Sequence, residues 1–143
     1  MTERRTVVQA GGRAKAYRPI SIEARREAFA AGLAAYESGE FFEAHELLEP
    51  AWMGTDDLGE RAFLQGVIKL AAGFVHGTRG NPLGVVKNLT GARAHLRVSG
   101  VVESGRRYGV DVEELLRRMD AVLASRDPEP ISIPRLRSNG AGS

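Results

Sequence analysis

Five consecutive residues, His45-Glu46-Leu47-Leu48-Glu49, carry the first side chains with chemical potential. On a helix, positions four apart share a face, so His45 and Glu49 stand together, with Trp52 almost one turn further on. An imidazole beside a carboxylate can pass a proton, orient a polar ligand or share an ion. A second polar line follows within a strongly apolar run, where Gln65, Lys69 and His76 interrupt Phe63, Leu64, Val67, Ile68, Leu70, Phe74 and Val75. A helix that is apolar most of the way round is buried on most sides. A polar line on such a helix needs partners, because an unpaired buried charge is expensive. His45 and Glu49 are therefore expected to meet Gln65, Lys69 and His76 between two neighbouring helices, with Trp52 shielding one end. Glu46 lies about 100° round the helix from His45.

Three readings of this cluster compete. One is an internal network of ion pairs and hydrogen bonds that fixes helix register. Another is a pocket for a small molecule or peptide, since convergent polar groups in an apolar cleft orient ligands. The third is metal-assisted or acid–base chemistry. For the third, the segment has the form of the zinc-binding pattern His-Glu-x-x-His with Glu49 in the second histidine's place, and His76 as a third candidate ligand. Losing the imidazole pair counts against a metal, as does a total of three histidines in the chain. No cofactor is expected. Asn81 and Gly84, at the start of a later helix, offer free amides to an anion, although ordinary capping explains them equally well. His95, beside Arg93 and Arg97, reads as a surface residue.

The elements that must position these groups are legible in the pattern of apolar and capping residues. Ser21 caps a first helix carrying Ile22, Phe29, Leu33 and Tyr36, which Gly39 stops. A second begins near Glu40 with Phe41, Ala44, Leu48 and Trp52 on its apolar side, and Pro50 predicts a kink or an early end there. The third runs over about 59–78. Asn81-Pro82 reads as the cap and first position of a fourth helix, continuing to about Ser99. Asp111 and Glu114 form a capping-box pattern for a fifth, whose stripe is Val112, Leu115, Leu116, Met119, Val122 and Leu123. Short links between amphipathic helices imply antiparallel packing. Arg5–Gln9 is the one weak strand candidate. Past Asp127-Pro128-Glu129-Pro130, the alternation of Ile131, Ile133 and Leu136 predicts an extended tail across the domain, with Ser138–Ser143 disordered. The fold class is all-α: a single compact bundle of about five helices with an extended, proline-containing C-terminal tail. Its organisation is a basic, partly flexible arm over 1–20, a helical domain over 21–125 and an extended to disordered tail over 126–143.

Composition narrows the function classes. The chain has 143 residues and no cysteine, so it has neither disulfides nor thiolate sites. Its formal net charge is +2, but residues 1–20 hold five cations against Glu3, whereas 21–125 hold 12 Lys and Arg against 15 Asp and Glu. The folded part is mildly acidic, and no basic face is available to a phosphate backbone, so nucleic acid is not an expected partner. No run approaches the roughly 20 apolar residues of a membrane span. The N-terminus lacks the apolar stretch of a secretory signal. A cytoplasmic domain is expected.

Phe42, His45, Glu46, Glu49 and Trp52, then Gln65, Gly66, Ile68, Ala71 and Ala72, then Gly80, Asn81 and Gly84, form an ordered set of spaced motifs. In these the chain resembles the helical family catalogued as domain of unknown function 309, over roughly residues 28–100. The resemblance implies a small all-helical domain with no established activity, and family-typical positions at His45, Glu46, Glu49, Trp52, Gln65 and Asn81. A fainter likeness to a tetratricopeptide hairpin, in Gly32, Gly39, Phe41, Ala44, Leu48 and Ala51, implies that the first two helices form a tight hairpin. The function expected is a non-catalytic binding or adaptor module with an unknown small molecule or protein as partner. The alternative is a metal- or acid-base-assisted hydrolase using His45, Glu46 and Glu49. Oligomeric state has no signature in the sequence.

Overall fold

The computed structural model describes residues 6–8, 14–99, 108–125 and 128–136. Five helices dominate: α1 (Ile22–Glu37), α2 (Phe41–Met53), α3 (Leu58–Thr78), α4 (Pro82–Ser99) and α5 (Val112–Leu123). Ahead of them, β1 (Thr6–Val8) pairs antiparallel with β2 (Ala14–Ala16), so the weak strand candidate near Arg5–Gln9 is a strand. The expectations for Ser138–Ser143, for 100–107 and for much of the 1–20 arm fall outside the described residues.

The helix starts follow from their caps. Ser21, Asp57 and Asp111 each accept a hydrogen bond from the backbone N–H three residues on, which satisfies a donor the helix itself leaves free. Asn81 does the same for Gly84 at 3.1 Å. Pro50 does not end α2, which continues to Met53. Proline there removes the bond to the Glu46 carbonyl, but both residues face solvent and only the last turn follows, so water takes over the lost donor's role.

α3 is the central element. It packs against α2 on one side and α4 on the other, while α1 packs on α2. Phe63, Leu64, Val67, Leu70, Ala71 and Phe74 are all at most 1% exposed. The α3–α4 contact is close because glycine stands where the helices touch. A Cβ on Gly66 would lie 2.6 Å from Leu96 Cγ, and one on Gly73 would lie 2.6 Å from Leu89 Cδ1. The proline-containing tail runs extended along the bundle, as the alternating pattern suggested. Tyr36 donates its phenol to the Ile131 carbonyl at 2.6 Å, Ile133 is 3% exposed, and Val110 bridges Arg135. At the other end, the Arg18 and Ile20 amides donate to the carbonyls of Met53 and Gly54.

The glycine seam sets a test. Alanine raises helix propensity by about 1 kcal/mol over glycine, yet Gly66→Ala drives a methyl into Leu96, and overpacking of this kind costs about 1–3 kcal/mol. Urea unfolding of Gly66→Ala is expected to show a net loss of stability, whereas propensity alone would give a gain.

Candidate functional site

One fully buried charged group is a residue that the sequence pattern left unremarked. Glu60 occupies the first turn of α3 and is fully buried. Its carboxylate accepts from Arg25 Nε at 2.6 Å and Arg25 Nη2 at 3.3 Å, from Thr55 Oγ1 at 3.1 Å, and from the Tyr108 phenol. Arg25 also donates Nη1 to the Ile20 carbonyl at 2.7 Å. Burial alone pushes the Glu60 carboxyl up, but donation from Tyr108, Arg25 and Thr55 outweighs it and holds the group below its ordinary 4.5. Tyr108 responds in the opposite sense: burial and the Glu60 charge keep its phenol proton well above the usual range. Its backbone is left-handed (φ 54°), its ring stacks on Phe29 at 4.9 Å, and its carbonyl accepts from Arg135.

Next along α3, Arg61 is 5% exposed and pairs with no described carboxylate. It donates to the carbonyls of Trp52 at 2.8 Å and Thr55 at 3.2 Å, and its guanidinium lies 4.7 Å from the Trp52 ring. Desolvation lowers its pKa. Trp52, 5% exposed, is thus half of a cation–π pair at the α2–α3 junction.

The structure distributes the expected cluster along a seam rather than gathering it at one point. On α3, Gln65, Lys69, Ala72 and His76 are all half-buried and fall on one line between the flanks that face α2 and α4. Gly84, Asn88, Gly91 and His95 form a matching half-buried line on α4, and His45 and Glu49 stand half-buried on α2. Lys69 lays its stem along α4, with Cδ 3.2 Å from where a Gly91 Cβ would sit, and forms no ion pair with a described carboxylate. His76 packs on Gly84, and its Nδ1 lies 3.1 Å from Asn81 Nδ2. Asn81 donates there, so the His76 proton belongs on Nε2. Asn81 and Gly84 are therefore engaged in a cap and with His76. Glu46 points outward at 58% exposure; it lies 3.4 Å from His45 Nδ1 without forming a hydrogen bond. Glu49 has an interaction of its own. His95, read from the sequence as a surface residue, is half-buried. Among the described residues, no three His, Asp or Glu side chains are grouped to hold a metal ion, so His45, Glu49 and His76 do not assemble into a ligand set.

Two atoms on this seam make no hydrogen bond, one of them the His45 Nδ1 that lies 3.4 Å from Glu46 Oε2. His45 Nδ1 and Gln65 Oε1 are both shielded from solvent and neither makes a hydrogen bond.

The sequence model of the family described as Domain of unknown function (DUF309) matches residues 29–88. The chain resembles that family. No curated protein matches the sequence. The DUF309 match spans most of α1, all of α2 and α3, and the first turns of α4, so it includes His45, Glu46, Glu49, Trp52, Gln65, Lys69, His76, Asn81 and Gly84. It includes Glu60 but stops short of Arg25, Tyr108 and His95. Sequence reasoning had one handle on Glu60, the Asp57-x-x-Glu60 spacing of a capping box. Nothing in the pattern announces partners 35 and 48 residues away.

Glu60→Gln keeps the shape, removes the charge and strands Arg25, which is expected to cost about 3–5 kcal/mol. Tyr108→Phe removes one donor and is expected to cost about 1–3 kcal/mol. The pH dependence has a definite sign. Because folding depresses the Glu60 pKa, its contribution is complete above the ordinary 4.5 and is lost as pH falls through the lower folded value. Urea midpoints measured from neutral pH downward should fall less steeply for Glu60→Gln than for the parent as pH drops from 4.5 toward that folded value.

Proposed function

We propose that this domain is a non-catalytic binding module that takes its ligand along the polar seam of α2, α3 and α4. The observation that carries this reading is the contrast between two kinds of polar group. Glu60 receives four donors and Arg61 reaches two carbonyls and a ring, so the polar groups that hold the bundle together are satisfied. Gln65 Oε1 and His45 Nδ1 are shielded and make no hydrogen bond. Buried polar atoms nearly always have partners, and a ligand seated on the seam would supply them. Natural binding surfaces commonly carry groups that cost stability for this reason.

A hydrolase acting through His45, Glu46 and Glu49 has less support. General acid–base catalysis wants the base aligned with an orienting partner. His45 makes no hydrogen bond to Glu46, whose carboxylate stands in solvent. No described helix is long and apolar enough to cross a membrane; the partner proposed is a small molecule or a protein segment.

This reading is testable without knowing the ligand. Replacing His45 or Gln65 with leucine removes an unpaired polar atom and adds apolar surface, so thermal unfolding of His45→Leu and Gln65→Leu should be unchanged or shifted upward. Losses comparable to that of Glu60→Gln would make the seam a structural element and defeat the proposal.

A further inference from the structure

Resting on that reading, we propose that the seam binds a small oxyanion, the phosphate or carboxylate group of a metabolite-sized ligand, with Lys69 as its counter-charge between His45 and His95. Register fixes the heights of these groups. At one end of α2, Trp52 meets Arg61; at the other, Phe41 stacks near Phe74. This antiparallel alignment sets His45 level with Lys69, and Glu49 level with Gln65. Across the seam, Gly66 meets Leu96 and Gly73 meets Leu89, which sets His95 between the levels of Gln65 and Lys69. Side chains from three helices thus stand at similar heights along the α3 line, His45 on the α2 flank and His95 on the α4 flank.

Their charges leave an opening for an anion. Lys69 is half-buried, pressed against Gly91, and pairs with no described carboxylate. A lysine that has given up part of its hydration without gaining a counter-ion is unusual, because ammonium is strongly hydrated. Burial, and after it the Lys69 charge, hold His95 below the ordinary 6.5, so the ammonium field reaches across to α4. Of the three carboxylates on α2, Glu43 and Glu46 face outward and Glu49 is engaged. His45 brings to the opposite wall an imidazole Nδ1 that makes no hydrogen bond and has the solvent-exposed Glu46 carboxylate 3.4 Å away. An oxyanion here would accept from the ammonium, and from imidazole N–H on either side, in hydrogen bonds strengthened by charge. Gln65, whose carbonyl oxygen is unpaired, would turn its amide N–H₂ to the same ligand.

The test uses the full chain and the imidazole resonances of His45, His76 and His95 in long-range ¹H–¹⁵N spectra. Sodium phosphate, sodium acetate, sodium chloride at matched ionic strength, and acetamide as a neutral probe are titrated separately. Saturable shifts of His45 and His95 with phosphate or acetate are expected, with His76, two turns along, moving least. Whichever anion binds more tightly identifies the ligand group. Lys69→Met should weaken the response at least about tenfold, and Lys69→Arg should retain it, each with its fold checked by circular dichroism. The oxyanion proposal fails if chloride reproduces the shifts, if Lys69→Met leaves the midpoint unchanged, or if neither oxyanion moves His45 and His95. In that last case, saturable shifts with acetamide would preserve the binding reading while removing the anion. No response to any probe, together with destabilisation in His45→Leu, would remove both.

Discussion

A single carboxylate with no access to water ties together three parts of the chain that are distant in sequence. Glu60 takes Arg25 from the first turn of α1, Thr55 from the loop before α3, and Tyr108 from the segment leading into α5. A buried ionised carboxyl is tolerable only when its lone pairs are filled and its charge balanced, and here both conditions depend on the bundle being closed. The arrangement therefore gives orientation as well as energy. Arg25 can reach Glu60 only if α1 crosses α2 at the right height, and Tyr108 can reach it only through a left-handed turn braced by Arg135.

The helices were legible in the sequence because their signals are local. Caps at Ser21, Asp57, Asn81 and Asp111, glycine at the ends, and apolar periodicity all act within a turn or two. Even the tail was readable, since alternation of Ile131, Ile133 and Leu136 around Pro134 admits no helix. Pro50 does not bring the early end that was one of the two outcomes expected of it, because proline's effect depends on position. Three residues from the end of α2, on the wet side, it removes one exposed bond and leaves the helix standing.

The polar groups were harder to place, for a physical reason. The wheel of α3 correctly singles out Gln65, Lys69 and His76 as one line, yet a line has two flanks, and periodicity does not say which neighbour each side chain leans toward. Lys69 and His76 lean on α4, because Gly91 and Gly84 leave room there. Glu60 and Arg61, by contrast, look like ordinary first-turn residues of a capped helix. Their burial comes from what the rest of the chain lays over them: Arg25, Tyr108 and Trp52, none of which the local pattern connects to them.

The Tyr36–Ile131 hydrogen bond joins residues 95 positions apart and closes the bundle over the first helix. Helical hairpins such as α3–α4 can form early, from contacts close in sequence, whereas this closure must wait for a residue 95 positions downstream. During synthesis on the ribosome, the Tyr36 phenol and the apolar floor beneath Ile133 stay open until residues 131–133 emerge. The nascent domain therefore has a period in which its helices exist and its lid does not, and that is when chaperones or aggregation would find it.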